Sequence, residues 1–209
     1  MIRPISKNAL LLALVAMICV GLLSVLQQLT APRIAEQRLA SKMAILQDVL
    51  PAAAEQQLLD DCIAVIAPEW LGRASTQSIF RWREQGEVAA YVVETTAPDG
   101  YSGAIELMVA IAPDGTVLAA RTLQHQETPG LGDKIELRKS DWMLSFNDQP
   151  VIESTLSRWA VRKDGGQFDQ FTGATITPRA VVQAIKKAAL YIQQHPELAT
   201  QPTNCEAMQ

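Results

Sequence analysis

Ser78-Ile79-Phe80-Arg81-Trp82-Arg83, Val88-Ala89-Ala90-Tyr91-Val92-Val93-Glu94-Thr95, Ile105-Glu106-Leu107-Met108-Val109-Ala110-Ile111 and Val117-Leu118-Ala119-Ala120-Arg121-Thr122-Leu123 are four alternating or β-branched runs in close succession. The breaks between them are Gln85-Gly86, Pro98-Asp99-Gly100 and Pro113-Asp114-Gly115. Such residues supply turn geometry between antiparallel strands. This stretch predicts strands over 78–83, 88–95, 105–111 and 117–123, and therefore a sheet.

Downstream, residues 130–146 carry turn signals and then a short mixed stretch with Trp142 and Phe146, expected to be helical in part. Trp159-Ala160-Val161, closed by Asp164-Gly165-Gly166, reads as a further short strand. Thr177 is a good helix N-cap and Pro178 suits the first helical position. Val181, Ile185, Ala188, Ala189 and Ile192 then form a helical stripe that ends near His195-Pro196. The tail from Glu197 is polar, with Cys205 available to tie it down.

Upstream of the sheet, residues 9–26 are uncharged and almost wholly apolar, and no charge follows until Arg33. At ~1.5 Å rise per residue the run covers a hydrocarbon core of about 30 Å. It exceeds the ~7–15-residue apolar region of a signal peptide, so an uncleaved anchor over 9–29 is expected. Arg3 and Lys7 precede it without an acid, which puts residues 1–8 in the cytoplasm and the main domain across the membrane. After Pro32, Ile34, Leu39, Met43, Leu46 and Leu50 are spaced as an amphipathic linking helix over 30–51 that ends at Pro51. The 209 residues thus divide into this anchor, the linker, one domain over 52–196 and the tail 197–209. The fold class is α+β: a transmembrane helix, a linking helix, then an antiparallel-sheet domain with a C-terminal helix.

The net charge of -4 offers no basic footprint for nucleic acid. Of three cysteines, Cys19 is inside the span, and Cys62 with Cys205 reads equally as a disulfide or as two free thiols. With no CxxC and no Cys/His cluster, no ligand set for zinc, haem or iron–sulfur is expected, so redox chemistry would need an organic cofactor.

Two segments carry chemistry. The first is His125-Gln126-Glu127-Thr128-Pro129-Gly130-Leu131-Gly132, a rigid loop whose glycines allow close backbone approach. The second is Asp169-Gln170-Phe171-Thr172-Gly173-Ala174-Thr175, directly before the predicted C-terminal helix. Unsatisfied amides and the positive end of a helix dipole favour an anion such as phosphate there. The bland reading of that segment is plain capping, and of His125 a satisfied structural histidine.

Asp169-x-x-Thr172-Gly173-Ala174-Thr175 resembles the flavinylation motif of the FMN-binding domain family, and Glu127-Thr128-Pro129-Gly130-Leu131-Gly132 is similar to its flavin-wrapping loop. The resemblance covers residues 95–195 and implies FMN esterified to Thr175 through its phosphate by a flavin transferase with FAD as donor. It implies cofactor contacts from Thr172, Gly173, Ala174, Glu127, Thr128, Gly130, Leu131 and Gly132. Trp142 and Phe146 are stacking candidates and Lys163 a candidate near the phosphate or ring, against core packing and a solvated lysine. Gly100-Tyr101-Ser102-Gly103, which recurs in the family, is either a reversal near the flavin or a plain hairpin turn.

The whole-chain layout resembles the G-subunit family of the Rnf (Rsx) ion-translocating electron transport complexes. The C-subunit family of sodium-translocating NADH:quinone reductase shares the motifs on a longer chain. The resemblance implies a flavoprotein of the bacterial inner membrane, single-pass with its main domain periplasmic. Its role would be electron transfer beside other subunits of a translocase, with no catalytic acid–base set and no metal of its own. The rivals are a stand-alone periplasmic covalent-flavin reductase and a non-redox, membrane-tethered binding module.

Overall fold

The structure, a computed structural model, describes residues 2–49 and 61–205. The chain divides into two compact units, Met1–Met43 and Ala44–Gln209. Helix α1, Ile2–Val49, is a single 48-residue helix with Pro32 inside it. The separate anchor and linker expected from the sequence are therefore one continuous helix. Pro51, the expected stop, lies outside the described residues. Lys7–Ile34 is long and apolar enough to cross a membrane, and its side chains are exposed, among them Leu11, Met17, Leu22 and Leu29. Such an exposed apolar surface suits lipid.

The second unit is built on a six-stranded antiparallel meander in sequence order: β1 Cys62–Val65, β2 Gln77–Glu84, β3 Glu87–Ala97, β4 Ile105–Ile111, β5 Thr116–Gln124 and β6 Gln149–Pro150. A short helix α2, Pro68–Leu71, joins β1 to β2. The β2–β3 hairpin turns on Gln85 and Gly86, both at positive φ (53° and 92°), as a tight two-residue hairpin requires. The four central strands fall where the alternation predicts them. The expected strand at Trp159–Val161 is instead irregular backbone held by one bridge, Val161 to Phe168, because a turn from Asp164 to Gly166 folds it back locally.

Register places Ile63, Ile79, Val93, Val109 and Ala120 in one row across five strands. That row is buried against helix α3, Ile176–Gln194, whose inward stripe is Val181, Val182, Ile185, Ala188, Ala189 and Ile192. The stripe's 3.6-residue period and the sheet's two-residue period meet in one apolar layer.

The 3-10 turn Asp141–Phe146 packs against β5, and Trp159, at the end of the 3-10 turn Glu153–Arg158, joins its aromatic residues in the same core. Phe146 lies 4.5 Å from Phe168 and 5.0 Å from Trp142, and Trp159 lies 5.0 Å from Phe168 (ring centroids). Trp159 is fully buried and its indole N–H donates to the Pro150 carbonyl.

The polar tail is tied down. Cys62 and Cys205 form a disulfide across 5.5 Å between Cα atoms, resolving the two readings open from sequence. Asp61 pairs with buried Arg81 and with Arg83. Those guanidinium groups donate to the carbonyls of Leu198, Gln201 and Ala199 at 2.7–2.8 Å. Asn204 engages both main-chain polar groups of Ala64, accepting from its N–H at 2.6 Å and donating to its carbonyl at 3.4 Å.

Candidate functional site

Phe171 is the inward-facing anchor of the second sequence segment. It is buried, with its ring edge-on to Trp142 at 5.0 Å. Trp142 also donates its indole N–H to the Asp169 carbonyl at 2.8 Å. Over this base the chain makes a tight turn, closed by Ala174 N–H to the Phe171 carbonyl at 3.1 Å. Gly173 sits in the turn at φ +82°, a conformation that L side chains rarely adopt. Thr172 and Gly173 are thereby exposed at the apex, while Ala174 and Thr175 descend, half-buried, into the start of α3.

Thr175, not Thr177, is the N-cap residue. Its backbone is at φ −82°, ψ −20°, and its side chain makes no capping hydrogen bond. The cap expected at Thr177 is displaced because that residue lies inside the first turn, fully buried, with its hydroxyl donating to the Glu127 carboxylate. Pro178 accordingly falls in the first turn rather than at its first position.

Glu127 joins three segments. It is only 4% exposed; Oε2 accepts the Thr177 hydroxyl and Oε1 accepts the Ser102 N–H at 3.0 Å. The Gly100–Gly103 turn, the Glu127–Gly132 loop and the head of α3 therefore meet on one carboxylate. Loop closure is local: Leu131 and Gly132 N–H groups donate to the Thr128 carbonyl at 3.1 and 3.0 Å, and Asp133 Oδ1 accepts from Gly130 N–H at 2.8 Å.

His125 is structural. Its Nδ1 accepts the Glu127 N–H at 3.0 Å, which leaves the proton on Nε2, 3.0 Å from Glu136 Oε1. The Glu136 carboxyl is held below the usual carboxylate range, chiefly by the side-chain hydrogen bond from Arg138 and further by His125, against the opposing effect of burial.

These elements enclose a cleft of ≈ 270 Å³ lined by Tyr101, Glu127, Thr128, Leu131 and Gly132 on the loop side, with Gly173 to Thr177 on the helix side. Two segments some forty residues apart in sequence, plus the Gly100–Gly103 turn, thus form one site. Its volume is near the lower end of small-molecule sites, roughly 300 Å³. Tyr101, Leu131 and Ile176, which line it, are exposed apolar side chains, at 66%, 42% and 44%. Tyr101 and Ile176 are not singled out as contacts by the sequence motifs.

Several expected contacts do not line the cleft. Trp142 is in the aromatic core beneath the motif rather than on the cleft wall, because its N–H and ring are both used to hold the Asp169–Phe171 backbone. Lys163 is exposed on the 3-10 turn Arg162–Asp164 and is not among the lining residues. Thr172 is exposed at the turn apex, beside the cleft rather than lining it, and Gly130 likewise does not line it.

The two loop glycines do different work. Gly130 is at φ +77° with open space where a Cβ would project, whereas a Cβ at Gly132 would stand 2.8 Å from Glu127 Oε2 and 3.0 Å from Thr177 Oγ1. Gly130→Val is thus expected to cost ~1–3 kcal/mol in backbone strain while leaving the cleft in place. Gly132→Val should break the Glu127–Thr177 contact and distort the cleft at comparable or greater cost. Urea denaturation of both variants checks this ranking, and a Gly132→Val as stable as the parent would refute it.

The FMN-binding domain family matches residues 100–190, a span that includes every residue of the cleft, and the RnfG N-terminal region matches residues 1–49. A relative from Pseudoalteromonas atlantica, named as the G subunit of an ion-translocating oxidoreductase complex, is 49% identical over 201 residues, covering 96% of this chain and 94% of its own. A relative of the same name from Vibrio cholerae is 48% identical over 207 residues, covering 99% of both chains. Another from Shewanella oneidensis is 47% identical over 207 residues, covering 98% of both.

Proposed function

Because this chain belongs to the G-subunit family of ion-translocating oxidoreductase complexes, with an FMN-binding domain over residues 100–190, we propose that it is an electron-transfer subunit of such a complex, carrying FMN on Thr175 through a phosphoester. The observation that carries the proposal is the convergence of the two motifs on one cleft, with the Thr175 side chain at the head of α3 making no capping hydrogen bond.

The residues present fit the group. An anion at Thr175 lies against the free amides and positive dipole end of a 19-residue helix. The apolar surface of Tyr101, Leu131 and Ile176 suits a planar ring. FMN supplies the redox chemistry when bound. The chain's own part is to hold the phosphate end at the α3 terminus and to enclose the ring between the loop and the Gly100–Gly103 turn.

Attachment balances as a phosphoryl transfer. The Thr175 hydroxyl oxygen forms the new ester bond to the flavin-side phosphorus of FAD, the pyrophosphate bond breaks, AMP leaves, and the hydroxyl proton passes to a base of the flavin transferase. Three threonines are near, and their environments separate them. Thr177 is buried with its hydroxyl committed to Glu127, Thr172 is at the turn apex, and Thr175 lines the cleft.

The test is a denaturing gel of the protein coexpressed with the transferase, viewed under ultraviolet light, with the intact mass measured alongside. A fluorescent band and an adduct of FMN less water are expected. A dark band without the adduct would refute covalent attachment.

The α1 helix serves as a single-pass anchor within the membrane complex, and we place the domain on the periplasmic side from Arg3 and Lys7. A reporter active only in the periplasm, fused after Gln209, is expected to be active. Activity from a cytoplasm-specific reporter would reverse the orientation.

A further inference from the structure

We propose that Tyr101 is the aromatic residue that lies against the flavin ring, and that Glu127 is the positioning residue that holds it there; this rests on the reading that FMN is borne on Thr175. The aromatic side chains nearest the motif in sequence are spent on the core: Phe171 is 5% and Trp142 9% exposed, each packed edge-on against the other. Among the described residues lining the cleft, Tyr101 is the single aromatic.

Its exposure is not that of a loose loop tip, because the turn is fixed on both sides of it. Before it, Gly100 packs so closely that a Cβ would stand 2.2 Å from the Gly103 carbonyl oxygen and 3.0 Å from Glu127 Oε1. After it, Ser102 N–H donates to that same Oε1 at 3.0 Å. The other carboxylate oxygen is bonded to Thr177, two residues beyond the proposed acceptor. One buried carboxylate thus sets the distance between the Tyr101 backbone and the helix terminus where the cofactor's phosphate would be held.

With Leu131 and Ile176, Tyr101 lines the cleft as an exposed side chain. A planar, electron-poor ring is the ligand surface that an electron-rich phenol complements. Both Glu127 oxygens are occupied by protein donors, so its contribution is geometric: it acts on the flavin through the turn. A phenol in contact with the ring quenches flavin fluorescence, and an ordered contact gives the flavin visible circular dichroism.

The full chain, coexpressed with the transferase, is compared as parent, Tyr101→Leu, Tyr101→Phe and Glu127→Gln. Intact mass reports attachment, and the ratio of native to denatured flavin fluorescence and the visible circular dichroism report the ring's surroundings. All four proteins are expected to carry the adduct. Tyr101→Leu should raise the fluorescence ratio severalfold and diminish the dichroism. Tyr101→Phe should retain the dichroism with weaker quenching. Glu127→Gln, which keeps the aromatic ring but weakens its clasp, should move both readouts towards the Tyr101→Leu values.

An adduct-bearing Tyr101→Leu with parental fluorescence and dichroism overturns the contact. Parental readouts in Glu127→Gln alongside altered ones in Tyr101→Leu overturn the positioning role. Absence of the adduct from the parent overturns the Thr175 reading on which both rest. Should Tyr101→Leu fail to fold, Tyr101→Phe decides: parental quenching there overturns the contact.

Discussion

Thr175→Ala is expected to remove the covalent flavin completely, leaving a protein of unmodified mass and no fluorescent band, while its stability changes by only about 0.5 kcal/mol. The small stability effect follows from the side chain's surroundings. Thr175 is half-buried and gives α3 no capping hydrogen bond, so alanine takes away a hydroxyl that the fold does not use. The large chemical effect follows from the neighbours.

Thr177 is no substitute acceptor, because its hydroxyl is buried and bonded to Glu127. Thr172 stands across the Gly173 turn and is not on the cleft wall. Thr172→Ala should therefore keep the adduct. Thr177→Val should keep it as well, at a cost of about 1–3 kcal/mol for leaving the buried Glu127 oxygen short of a donor. An adduct that persists in Thr175→Ala would move the acceptor to one of these two.

The second large effect concerns the disulfide. Replacing both Cys62 and Cys205 with serine is expected to lower stability by about 2–5 kcal/mol, since the bond links residues 143 apart in sequence and so restricts the unfolded chain. Urea denaturation in detergent, with and without a reductant, checks this. The parent should lose stability on reduction by as much as the double variant has already lost, and the variant should be indifferent to the reductant. A parent unaffected by reduction would mean that the hydrogen bonds from Arg81, Arg83 and Asn204 suffice to hold the tail.

Much of this was legible in the sequence because it depends on local signals. The strands at 78–83, 88–95, 105–111 and 117–123 announce themselves by alternation and by turn residues, and all four are present within a residue or two. The inward stripe of α3 is a local period as well. What escaped depends on distant partners. Strand β1 and the two-residue β6 are too short to carry a pattern of their own and exist because β2 and β5 offer them hydrogen bonds.

Thr177 has the composition of an N-cap, yet the helix begins a residue before it because Glu127, fifty residues away, offers its hydroxyl a better use. Trp142 shows the same limit. Its size and its place near the motif suggest a stacking surface, but the choice between cofactor and core is made by Phe171 and the Asp169 carbonyl, which the one-dimensional pattern does not reveal. The sequence leaves the Tyr101 turn as either a reversal near the flavin or a plain hairpin turn, and only the fold, by bringing that turn to the helix, makes Tyr101 part of the cleft.

The tail's attachment to β1 also bears on how this chain can associate. An outer strand with free amides and carbonyls is a template on which a foreign chain can add itself. At one margin of this sheet, the Asn204 side chain occupies the N–H and carbonyl of Ala64, and its own backbone N–H takes the Cys62 carbonyl. At the other, β6 is two residues long and one of them is Pro150, which has no N–H to give. The main chain of β1 at Cys62 and Ala64 and the proline of β6 therefore offer a neighbouring chain little to pair with at those two points, which works against edge-to-edge zipping of copies there.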